Sequence, residues 1–113
     1  MNEVQLTGRL VKDPVIQKIQ ENQVANFVLA VSDKNQNNKT SFIDCSCWGV
    51  KVNFIEKYLQ KGSKINVTGK LIQDTYKDKD DNQRNRVYVL IRDIDYLANT
   101  KSEINNEILK KIE

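Results

Sequence analysis

The stretch Phe42-Ile43-Asp44-Cys45-Ser46-Cys47-Trp48 concentrates the side chains of this sequence that could do chemistry. On an extended strand successive side chains alternate faces, so Ile43, Cys45 and Cys47 share one face and Phe42, Asp44, Ser46 and Trp48 the other. The cysteine set fits a core, which leaves two large aromatics on a face that should be wet. Phe42 and Trp48 stand about 20 Å apart along a strand, a spacing that suits two separate stacking platforms better than one aromatic cluster. Tyr76, alone in a polar stretch, offers a third. Arg9, Lys51, Lys61, Lys64, Lys70, Arg84 and Arg86 fall on outer strand faces, the end of a helix or loops. Rings interleaved with cations are what a single-stranded nucleic acid needs, bases stacking on the rings while cations follow the phosphates. The competing reading puts Phe42 and Trp48 beneath long loops or in a subunit interface.

Other chemistries have little to work with. The chain has no His, which removes the usual general base, the commonest metal ligand and every Ser-His or Cys-His pair. No convincing carboxylate cluster stands outside the polar loop near residue 80, so a nuclease is not expected and the chain reads as non-enzymatic. Cys45 and Cys47, at i and i+2 on one strand face, are poorly placed for a disulfide and too few for a tetrahedral zinc site; they read as core packing. Asp78, Asp80 and Asn82 imitate the opening of a calcium loop, but Gln83 stands where that loop needs Gly and Val89 where it needs Glu. No metal or cofactor is expected.

The elements that must position these residues follow from pattern. Val4-Gln5-Leu6-Thr7-Gly8-Arg9-Leu10 alternates, Asp13-Pro14 interrupts, and Val15-Ile16-Gln17-Lys18-Ile19 resumes, which reads as one long bent first strand. A second strand over 24–31 runs into a polar loop over 32–41, and the third is the 42–48 strand. Val52, Phe54, Ile55, Tyr58 and Leu59 recur at helical spacing before Lys61-Gly62 stops the helix. Ile65, Val67, Gly69 and Leu71 form the buried face of a fourth strand whose other face carries Lys64 and Lys70. A loop over 74–85 and a final strand near 86–94 complete the order β-β-β-α-β-β. Five strands with a helix between the third and fourth predict an all-β, five-stranded Greek-key barrel of the OB type. Ile104, Ile108 and Ile112 suggest a short amphipathic helical tail over 99–113, charge-neutral with three Lys and three Glu, after a domain over 1–98.

The 113 residues suit one domain. Eighteen Lys and Arg against fifteen Asp and Glu give +3, a mild bias toward polyanions. No apolar run approaches the roughly 20 residues of a bilayer span, and the N-terminus has no secretory pattern, so a cytoplasmic protein is expected.

Taken in order, Val4 to Leu10 before Asp13-Pro14, Val24-Ala25-Asn26-Phe27 with Leu29-Ala30, the strand from Phe42 to Trp48, Tyr58-Leu59-Gln60-Lys61-Gly62-Ser63 and Val67-Thr68-Gly69-Lys70-Leu71 resemble the bacterial-type single-stranded DNA-binding protein family over about residues 2–97. The resemblance implies base stacking on Phe42, Trp48 and Tyr76 and a homotetramer, with a dimer as the alternative; the seven cations above are read, from their placement, as the phosphate contacts. It implies a role coating and protecting single strands during replication, recombination or repair. The chain departs from the family at Asn35, where a fourth stacking aromatic is expected, and at Asp44, Ile72 and Asp74, where basic residues are frequent. These departures imply weaker, more salt-sensitive binding. The chain also lacks the flexible linker and acidic tip, so recruitment of replication proteins through such a tip is not expected. The alternative is an interaction module of the replication-restart type.

Overall fold

A computed structural model describes residues 1–98. The elements run β1 (Val4–Leu10), β2 (Val15–Ile19), β3 (Asn22–Asp33), β4 (Lys39–Trp48), α1 (Lys51–Tyr58), β5 (Lys64–Lys77) and β6 (Gln83–Ala98). Neighbouring strands follow the order β1-β5-β6-β4-β3-β2, and β1 also pairs with β3, which closes the sheet into a barrel. With β1 and β2 taken as the two halves of the first strand, this is the expected OB arrangement, the helix lying between the third and fourth strands.

The predicted single bent strand is two strands. Pro14 has no N–H to give to a ladder and drives Asp13 out of regular pairing; Asp13 Oδ1 instead accepts the Lys61 backbone N–H at 2.7 Å. The two predicted loops are also shorter than their composition suggested. β3 and β4 stay paired out to Asp33↔Lys39, with one turn of 3-10 helix over Lys34–Gln36 and left-handed Asn37 and Asn38 turning the hairpin. β5 and β6 stay paired out to Lys77↔Gln83, so Tyr76 stands on a strand opposite Arg84. Both hairpin arms project past the core, where neither strand face has an apolar partner and the alternation that betrays a strand disappears. The polar turn closes around Asp78, whose Oδ1 accepts the backbone N–H groups of Asp80 and Asn82. The suggested helix over 99–113 lies outside the described residues.

The core lines the barrel interior with Phe27, Leu29, Cys45, Ile65, Val67 and Val89, and α1 plugs one end with Val52 and Ile55. Two face assignments change. Leu71, expected inside, is half exposed because β5 has by then left the barrel. Ser46, expected on the wet face, is buried. The cysteines are buried and unbridged, as expected. Burial, and secondarily the charge of Asp44, pushes the Cys45 thiol up to about 12, and burial raises Cys47 as well. A thiol that stays protonated in the fold contributes stability that is complete below its ordinary value and is lost as pH climbs from there toward 12.

Closure depends on two glycines. A Cβ on Gly8 would sit 2.4 Å from the Ala30 carbonyl oxygen and 2.9 Å from Leu29 Cγ; one on Gly69 would sit 2.1 Å from the Leu90 carbonyl oxygen. Backbone cannot step aside as a side-chain tip can. Gly8→Ala and Gly69→Ala should each cost about 1–3 kcal/mol and lower Tm by at least about 4 °C in thermal unfolding; unchanged melting would refute the close approach. The cysteines give a second check. Neither thiol should react with a thiol reagent in the native protein at mildly alkaline pH, and both should react after denaturation.

Candidate nucleic-acid interface

The outward face is set by register. Across β3, β4, β6 and β5 the residues Asn26, Ser46, Leu90 and Lys70 stand in one row, and facing residues in a ladder point the same way. Stepping by two along each strand adds Phe42, Asp44 and Trp48 on β4, Arg84, Arg86 and Tyr88 on β6, and Ile72, Asp74 and Tyr76 on β5. The three aromatics singled out in the sequence therefore share one face, and each is well exposed: Phe42 66%, Trp48 45% and Tyr76 51%.

The polar side chains of this face are interlocked. Ser46 Oγ donates to Asn26 Oδ1, and Arg86 Nη2 lies 3.5 Å from Ser46 Oγ, which explains why Ser46 is buried on an otherwise wet face. The Arg86 guanidinium also lies 4.5 Å from the centre of the Tyr88 ring. Tyr88 Oη donates to Asp74 Oδ2 at 3.1 Å, and partial burial together with that carboxylate raises the phenol above its ordinary value. Tyr88 is the aromatic that sequence reasoning missed. Val87 to Ile94 is apolar on both parities, which hid the fact that Tyr88 shares its parity with Arg84 and Arg86.

The seven cations separate into groups. Arg86, Arg84 and Lys70 belong to the aromatic face. Arg84 Nε is held 2.9 Å from Asp78 Oδ2, a bond that keeps the Asp78 carboxyl below its ordinary range. Arg9 and Lys64 pair across β1 and β5 and line an open groove of about 660 Å³ with Lys34 and Thr40. Ala30, on the floor of that groove, pairs with Arg9 on one side and Phe42 on the other, so the groove opens beside the first aromatic. Arg9 Nη1 is anchored on the Gly62 carbonyl at 2.7 Å.

Lys61 and Lys51 stand apart from both groups. Lys61 sits in the turn after α1. Lys51 opens α1 and donates to Asp93 Oδ1 at 3.1 Å and to the Arg92 carbonyl. Register shifts by one residue between Thr68↔Asp93 and Gly69↔Ile91, so Arg92 bulges from the ladder and Lys51 satisfies the carbonyl this leaves over. The ion pair holds Asp93 below its ordinary value and offsets a lysine in the first turn of a helix with no side-chain cap. Among the described residues no group of His, Cys, Asp and Glu could hold a metal ion, and no helix is long and apolar enough to cross a membrane.

An exposed row of rings on a closed barrel, flanked by guanidinium and ammonium groups, offers surfaces for stacking and for phosphate contacts. Comparison with known proteins agrees with that architecture. Residues 1–97 match the model of the single-strand binding protein family. The chain is 31% identical to Single-stranded DNA-binding protein 1 of Clostridium acetobutylicum over 110 residues, covering 92% of this chain and all of that protein. It is 34% identical over 104 residues to the Single-stranded DNA-binding protein of Malacoplasma penetrans, covering 90% of this chain and 54% of that protein. It is 31% identical over 99 residues to that of Clostridium perfringens, with 86% and 66% covered. The chain thus spans the full length of one of these relatives and between half and two thirds of the other two. On this match over nearly all of the barrel, the chain belongs to the single-strand binding protein family.

Proposed function

We propose that this chain is a non-enzymatic protein that binds single-stranded DNA without a strong sequence requirement and coats exposed strands in the cytoplasm during replication, recombination or repair. The observation that carries the reading is the exposure of Phe42, Trp48 and Tyr76 on one barrel face beside Arg86. Bases stack on the three rings, with Tyr88 at the edge of the same track, and Arg86, Lys70, Arg9 and Lys64 accompany the phosphates. Lys51 and Arg84 reach a phosphate only by leaving Asp93 and Asp78, and Lys61 sits at the margin of the track. In this reading residues 1–98 are the binding domain and 99–113 a separate tail. The protein acts as a homo-oligomer, a tetramer or else a dimer. In support, β1 meets β3 only at Arg9 and Leu10, which leaves its edge over Val4 to Gly8 without a strand partner among the described residues.

Three tests follow from this arrangement. In anisotropy titrations of a labelled single strand, Phe42→Ala, Trp48→Ala and Tyr76→Ala should each weaken binding by about 1–3 kcal/mol; unaltered affinity in all three would refute the stacking track. Arg86→Ala should reduce the slope of log affinity against log salt by about 0.7, whereas Lys51→Ala should leave it unchanged because that cation serves Asp93. Mass measured in solution should show an oligomer, and a monomer at all concentrations would refute assembly through the open edge of β1.

A further inference from the structure

Asp44 is the carboxylate that stands on β4 between Phe42 and Trp48 of the proposed stacking track, and no donor bonds it among the described residues. Along β4 its same-face neighbours, about 7 Å away on either side, are Phe42 and Ser46. Across the β3 ladder it faces Val28. On β6 the parallel register pairs Cys45 with Val89, so Asp44 and Tyr88 each stand one residue before that pair. Donors on the same face have partners of their own: Ser46 Oγ donates to Asn26, Tyr88 Oη to Asp74, and Arg86 lies over the Tyr88 ring with Nη2 3.5 Å from Ser46 Oγ. Asp44 is exposed and has no hydrogen-bond or ion-pair partner among the described residues.

A carboxylate offers only acceptors, so a strand laid along this face meets it in one of two ways. Toward a phosphate it is repulsive for every sequence alike. Toward a base it accepts from N–H groups, and the Watson–Crick edges of a single strand are free to supply them. Cytosine carries an exocyclic amino group that a carboxylate accepts well. Thymine offers one N–H between two carbonyl oxygens, which the carboxylate repels. With Phe42 and Trp48 holding bases against the sheet, it is edges rather than phosphates that come to Asp44.

We propose that Asp44 is a specificity-determining residue that tilts this binding face toward bases with an exposed amino group, cytosine over thymine. The inference rests on the reading of Phe42 and Trp48 as stacking platforms. The test compares oligo(dC) and oligo(dT) of about 15 nucleotides at mildly alkaline pH, where cytosine stays unprotonated, with wild type, Asp44→Asn and Asp44→Ala. Trp48 emission is followed beside the anisotropy of labelled strands. In both variants the dC-to-dT affinity ratio should fall, by about three- to tenfold in Asp44→Ala, while oligo(dT) binds as well as before or better. A parallel gain for both oligomers would overturn the proposal and leave Asp44 as a repulsive charge. Binding that leaves Trp48 emission untouched in all three proteins would overturn the stacking reading and the proposal with it.

Discussion

β4 is hydrogen-bonded on both edges, antiparallel to β3 and parallel to β6, and that double tether fixes which of its side chains meet solvent. Because the side-chain period of a strand is two, a slip of one residue would carry Cys45 and Cys47 outward and push Phe42 and Trp48 into the core. The register is held by what the inner face buries: Cys45 against Phe27 and Val89, and Cys47 against Ala25. Both thiols are fully buried there. Phe42 and Trp48 are outside because the cysteines are inside, and the barrel closes around β4 because Gly8 and Gly69 let backbones approach where a Cβ would collide.

Charge plays a local role in this molecule. The ion pairs are exposed, and pairs of that kind contribute little to stability individually. Their effect is placement: Lys51 closes the bulge at Arg92, Arg92 reaches Glu3 at the start of the chain, and Arg84 fastens the tip of the β5–β6 hairpin to Asp78. Lys70, Lys64, Arg9 and Arg86 are among the cations that no carboxylate holds, and they lie on the strand faces that a polyanion would follow. Asp93 at the bulge and Asp78 and Asp81 at the hairpin turn are engaged in structural contacts, while Asp44 and Asp74 remain on the aromatic face.

Much of this architecture is legible in the residues. The alternation around Cys45 and Cys47 places Phe42 and Trp48 outside, the spacing of Val52, Ile55 and Leu59 marks the helix, and Gly62 marks its end. What stays hidden has a common cause. Asp33, Lys39, Lys77 and Gln83 are strand residues in hairpin arms that leave the core, where no apolar alternation is required. Ser46 reads as solvent-facing until Asn26 and Arg86 are brought over it by two other strands. Tyr88 sits in a run apolar on both parities, and only its pairing with Ile72 and its bond to Asp74 reveal the face it belongs to. Lys51 carries no sign in the sequence that a bulge forty residues away will claim it.

Trp48, the only tryptophan, lies exposed on the aromatic face, where a bound single strand would meet it. Titration of its intrinsic fluorescence with oligo(dT), at low and high salt and against duplex DNA as control, reads that contact directly. Strong quenching by the single strand alone, weakening as salt rises, is the predicted result. Absence of quenching at low salt, with no binding by a second method, would contradict it and assign the aromatic face to a protein partner.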